Sequence, residues 1–395
     1  MKGRAIVLSA AFALLVSAAG QAGGAPARAS SLSIAGAQGA LASIVVPRDF
    51  PTIQAAVDAA APGDTITVRS GTYTEEVVIA KDLDLRGSGA GATIIRSPAT
   101  LTPYAVNVRN GRPLTAIVRI GHGAHVRMSG LAVSGPIPCG LVTGIAVVQA
   151  ATLQLSDSRV NDILPDGASC PAPPRGVSVS FGAPPRIQMD GVAGTTANGR
   201  VTKVVVDGYQ SEGLVATGPF GVSSSSVTFA DNVITAGVPQ IPTEQFDIDV
   251  FFNAVAQMTG NTVSGGVCTI PGCGPDPINE FQAMGIFVGP GGAGSTFSDN
   301  LISGADVGVY QFGSPNCCRI SENTLQDNRF FGIVIQDGDG TTSANTVRGG
   351  QIGIGVVADF ADTVGVLRGD HITGTTVAPV REIECCGFTA TAIVK

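Results

Sequence analysis

From residue 65 onwards the chain alternates short β-branched apolar runs with turn-forming clusters, and no apolar spacing of three and four recurs. The one helical pattern lies just before. Ile53, Ala56, Val57 and Ala60 share a helical face, and Thr52 stands where an N-cap belongs. "TITV" at 65–68 and "EVVI" at 76–79 then read as strands. In the C-terminal half the alternation becomes a repeat. "SDNLISGADVGVYQF" from Ser298, "SENTLQDNRFFGIVIQD" from Ser321 and "SANTVRGGQIGIGVVAD" from Ser343 place Asn300, Asn323 and Asn345 at near-equal intervals. Gly308, Gly332 and Gly353 follow, each opening a short apolar run. Echoes continue upstream at 259–266, 230–237, 176–180 and 144–148, and downstream at 369–375.

A unit of this length cannot close a core alone and must stack on its neighbours. One coil per unit gives parallel strands about 4.8 Å apart, with Val and Ile facing a dry interior. The recurring Asn suits a bend, where it tolerates the left-handed backbone and bonds to its counterpart in the next coil. The fold class predicted is therefore all-β: a single-stranded right-handed parallel β-helix, a solenoid, with an N-terminal capping α-helix. That helix covers the open end of the stack, whose strand edges and core would otherwise meet water.

Composition narrows the setting. Lys2 and Arg4 precede an apolar run from Ala5 to Ala19 and small residues follow, the pattern of a secretory signal peptide over 1–22. Residues 23–45 read as a linker and 46–395 as the β-helix domain. No later run is long enough for an integral membrane span, so the mature protein is expected to be secreted or periplasmic. A net charge of −7, with no basic stripe, excludes nucleic acid as a partner. Eight cysteines in an exported chain point to disulfides. By their phase in the coil, Cys139–Cys170 and Cys268–Cys273 pair; Cys317-Cys318 and Cys385-Cys386 are either vicinal disulfides or reduced pairs. Five Met and three His, without a CxxC motif, argue against a zinc or copper site. No cofactor is implied. Calcium has one candidate, "DGDG" at 337–340, which reads first as a turn.

The stretch "FPTIQAAVDAA…GDTITVRSGTYTEEVVI…LDLRGSGAGATII" resembles the start of right-handed β-helix proteins of the pectin lyase-like superfamily, most closely pectin methylesterases. The close resemblance covers only residues 50–95. It implies a right-handed coil and, often, action on acidic polysaccharides. The methylesterase catalytic segments are not found: Gly111-Arg112-Pro113 lacks the following Trp and comes too early. Gly121-His122-Gly123 matches one polygalacturonase element but precedes every acidic partner, and His122 reads as a turn residue.

Aligning Gly144, Gly176, Gly213, Gly285, Gly308, Gly332 and Gly353 as one column puts Asp247 among them. Two residues on, the column reads Asp249, Phe287, Tyr310, Val334, Gly355; two further, Phe251, Gly289, Phe312, Gln336, Val357. Period two turns both outward. Insertions at 135–143, 161–175, 236–246 and 265–284 precede the Gly-opened strands and would wall this face into a groove. Aromatic rings stack on sugar rings, and carboxylates accept hydroxyl hydrogens. Asp247 and Asp249 are the candidate catalytic pair, with carboxyls at roughly the 6–7 Å that glycoside hydrolysis uses. Phe251, Phe287, Tyr310, Phe312 and Gln336 are the candidate substrate contacts. An eliminating lyase would use an Arg or Lys base; Arg329 and Asp337 lie nearby in phase and read equally as turn residues. The expected function is binding of extracellular polysaccharide, with lyase or hydrolase activity undecided. The alternative is a non-catalytic structural or adhesive surface solenoid.

Overall fold

The computed structural model describes residues 43–106, 111–165, 170, 175–182, 196–218, 225–239, 242–313 and 317–395. The proposed signal peptide lies outside them. Three parallel sheets run the length of the coil, with 13, 11 and 12 strands among the described residues. Successive strands of the chain pass from one sheet to the next, so each sheet takes about every third strand. One antiparallel pair, Ala105–Val106 against Pro113–Ile120, departs from this pattern. The coil begins at Ser43, whose strand Ser43–Val46 pairs with Thr65–Val68, inside the stretch read as linker.

The N-terminal helix spans Ile53–Ala59, with Thr52 as its N-cap accepting from the Ala55 amide. Ile53, Ala56 and Val57 are buried against the first coils. The Glu75 carboxylate accepts from the Ile53 and Gln54 amides at 2.9 and 2.8 Å, satisfying two donors that a helix start leaves open.

Ile286, Val309, Ile333 and Ile354 are register partners in successive coils, and all are fully buried in one core cluster. The Asn residues form the expected ladder. Asn232, Asn261, Asn300 and Asn323 each donate Nδ2 to the next Oδ1 at 2.9–3.0 Å, and Asn345 donates to Asp370 at 2.7 Å. Every one of these oxygens also accepts the backbone amide of the preceding ladder residue. The left-handed backbone, expected at the Asn, sits one residue earlier instead, at Asp231, Gly260, Asp299, Glu322, Ala344 and Gly369. That residue makes the bend, and the Asn is freed to point inward.

The glycine column holds for Gly144, Gly213, Gly285, Gly308, Gly332 and Gly353, with Asp247 among them. Gly176 is displaced: it pairs with Val142, and Ser178 occupies the column. The column does not face outward. A Cβ on Gly285, Gly308, Gly332 or Gly353 would lie 2.4–2.7 Å from Ile302, Leu325, Val347 or Ile372, all side chains of the facing sheet. The strand kinks there, so the glycine and the residue after it both turn inward.

All eight cysteines are paired: Cys139–Cys170, Cys268–Cys273, and the vicinal pairs Cys317–Cys318 and Cys385–Cys386. His122 is an exposed turn residue with φ of 56°. No helix among the described residues is long and apolar enough to cross a membrane.

Candidate functional site

The inward glycine column decides the fate of Asp247. Its side chain is 0% exposed, inside the coil, where the buried Tyr209 hydroxyl donates to Oδ1, the Gly266 amide lies near the carboxylate, and Oδ2 has no hydrogen-bond partner among the described residues. Burial pushes its carboxyl up to about 7, against the opposing effect of these two donors. The expectation of an outward Asp247–Asp249 pair is therefore corrected: period two fails at the kink, and the two carboxylates leave the strand on different sides. Asp249 keeps its outward column between Val215 and Phe287, but is 4% exposed.

The aromatic columns lie as aligned. Asp249, Phe287, Tyr310, Val334 and Gly355 are consecutive partners, as are Phe312, Gln336 and Val357. The Phe251 and Phe287 rings stack with centroids 5.7 Å apart and planes at 26°, and Phe287 meets Tyr310 at 5.9 Å. The Tyr310 hydroxyl lies against Gln336 Oε1 and the Pro277 carbonyl. Tyr310 and Gln336 are thereby largely buried, while Phe251, Phe287 and Phe312 stay half-exposed.

Above this face the 274–284 insertion leaves a cleft of about 450 Å³. Phe287, Tyr310, Phe312 and Gln336 line it, and Phe251 joins through the stack with Phe287. Sequence reasoning missed its walls. Glu244 and Glu280 come from two insertions, and Asp359 and Phe360 from the turn after strand Ile352–Ala358. The "ADFAD" interruption after an apolar strand was the available signal. Asp337, from "DGDG", holds that turn: its Oδ1 accepts the Asp359, Phe360 and Ala361 amides at 2.8–3.3 Å. Burial, then the charges of Asp337 and Asp276, raise the Asp359 carboxyl.

The insertion is fastened by Asp306, which is fully buried. Its Oδ2 accepts the Cys268 and Ala283 amides at 2.8 and 3.0 Å, at the two ends of the loop. Arg329 Nε stands 3.1 Å from Oδ1, an ion pair off the hydrogen-bond axis, and its guanidinium covers the Phe330 ring. Arg329 is thus engaged in holding the loop base.

Residues 190–365 match the family described as the right handed beta helix region. No curated protein matches the chain. Solved structures of similar fold include an alginate lyase from a Paenibacillus species, at 13% identity and a TM-score of 0.47 over 88% of this chain and 99% of that one. A lacto-N-biosidase from Eubacterium ramulus shares 11% identity with a TM-score of 0.50, over 84% of this chain and 62% of its own. An α-1,3-glucanase from Streptomyces thermodiastaticus shares 13% identity with a TM-score of 0.44, over 89% and 68%. At these identities the likeness concerns the fold alone, a right-handed parallel β-helix.

Proposed function

We propose that this protein acts outside the cytoplasm and binds a polysaccharide in the cleft between the 274–284 insertion and the 359–360 turn. The observation that carries this reading is the pair of half-exposed rings Phe287 and Phe312, with Phe287 stacked on Phe251, beside Glu244, Glu280 and Asp359. Half-exposed rings offer flat apolar surface to sugar faces, and carboxylates at the rim accept hydroxyl hydrogens. Four disulfides fit an oxidising compartment. The same fold carries a lacto-N-biosidase, although fold alone does not fix a reaction. Titration calorimetry against neutral, acidic and amino oligosaccharides tests the reading. Binding that disappears in Phe287→Ala supports it; affinity untouched by that change removes the cleft from consideration.

A second reading, cleavage of the bound chain, is favoured by Asp359. A carboxyl raised first by desolvation and then by neighbouring carboxylates is in the condition a proton donor to a glycosidic oxygen needs. New reducing ends formed from an uncharged chain by the wild type and lost in Asp359→Asn, with binding of that chain retained, would establish it. No new ends from any bound chain would leave a binding protein.

A further inference from the structure

The residues lining the cleft include three carboxylates, Glu244, Glu280 and Asp359, and no lysine, arginine or histidine. Asp276 and Asp337 stand close behind, near enough for their charges to act on Tyr310 and Asp359. Arg381 lies in a separate hollow of about 240 Å³ with Asp276. The Asp276 carboxyl is held low, first by a hydrogen bond from Asn279 and, more weakly, by the Arg381 charge. That cation therefore already faces a counter-charge of its own.

Asp359 adds an independent observation. It is 8% exposed and lines the cleft, yet no N–H, O–H or cationic group among the described residues reaches its carboxylate. Its side-chain neighbour is Cys386 Sγ at 3.7 Å, a disulfide sulfur with no hydrogen to give. With no protein donor engaging it, this carboxylate stands at the cleft wall open to a cationic donor on a ligand. A uronate chain would add negative charge to this wall and meet no arginine or lysine there.

We infer that the cleft takes an amino-sugar chain, its ammonium groups seated against Asp359 and Glu280 and its ring faces on Phe287 and Phe312. This rests on the glycan-binding reading and names its substrate class; it does not depend on cleavage. The opposed rings and acids supply the two recognition elements such a chain carries, an apolar sugar face and a cationic substituent.

The experiment compares three hexasaccharides by calorimetry at low salt: glucosamine, N-acetylglucosamine and galacturonate. The glucosamine chain is expected to bind about tenfold or more tightly than its N-acetylated form, the advantage fading as salt screens the charges, with galacturonate weakest. Glu280→Gln and Asp359→Asn, each checked for an unchanged melting profile, should each weaken glucosamine binding by roughly five- to tenfold and leave N-acetylglucosamine binding within about twofold. Galacturonate binding as tightly as glucosamine, or no difference between the free and acetylated amines, overturns the ammonium assignment and leaves the glycan cleft standing. Failure of all three to bind overturns the glycan reading and this inference with it.

Discussion

Tyr209 and Asp247 meet inside the coil, 38 residues apart in sequence, and the tyrosine hydroxyl donates to a carboxylate fully shut off from solvent. Burial raises the Asp247 carboxyl from 3.8 to about 7. A carboxyl whose folded pKa is raised binds its proton more tightly in the folded state. Its stabilising contribution is complete at acid pH and is lost as pH climbs from about 4 to about 7. Asp247→Asn removes that loss. Urea unfolding at pH 4.5, 6 and 8 should show the variant gaining on the wild type as pH rises, by a few kcal/mol at most across the range. A difference that stays constant with pH would mean Asp247 does not titrate in this window.

Asn300 tests the ladder. Its Oδ1 accepts the Asn261 amide and Nδ2, while its own Nδ2 donates to Asn323 and to the Met258 carbonyl. Asn300→Ala strands several buried polar groups and should cost about 2–4 kcal/mol in chemical denaturation. Asn300→Asp turns one donor into an acceptor opposite Asn323 Oδ1 and should cost at least as much above pH 5. A loss below about 1 kcal/mol for the alanine variant would show that water replaces the rung.

Two glycines should separate crowding from backbone strain. A Cβ on Gly332 would stand 2.5 Å from Val347 Cγ1 and 2.7 Å from the Gly353 carbonyl, so Gly332→Ala should cost about 1–3 kcal/mol through overpacking. Gly123 has a φ of 72° and open space around its Cβ position. Gly123→Ala should cost only about 1 kcal/mol, from the left-handed backbone. Thermal unfolding in parallel reads both, and equal penalties would contradict the packing argument.

Asp306 connects stability to the cleft. Asp306→Ala releases both ends of the 265–284 insertion and leaves Arg329 without its partner, at roughly 2–4 kcal/mol. Because the loop forms one cleft wall, oligosaccharide affinity should fall by more than tenfold even at temperatures where the variant remains folded. Limited proteolysis should then cut between Cys268 and Ala283. Retained affinity in a folded variant would show that the Cys268–Cys273 disulfide suffices to place the loop.

Much of the coil was legible because its repeat is covalent in the sequence. Asn300, Asn323 and Asn345 set the register, and the aromatic columns through Phe287, Tyr310 and Phe312 followed from counting alone. Counting failed at Asp247, where a kink breaks the twofold alternation. The glycines themselves carried the warning: a position kept as Gly in six other coils is one where a Cβ meets the opposite sheet. The cleft's far wall was illegible for another reason. Asp359 approaches Glu280 only because an insertion folds back across coils that come later in the chain, and no local periodicity encodes that.

The order of assembly follows from that fold-back, because the chain emerges N-terminus first. The 274–284 segment emerges before Tyr310, Gln336 and Asp359, the residues it will lie across. Until those have emerged and wound, the segment has no floor beneath it, so chains ending before Gln336 should carry it loose and open to proteases. The cleft is thus finished late, when the last third of the coil is in place.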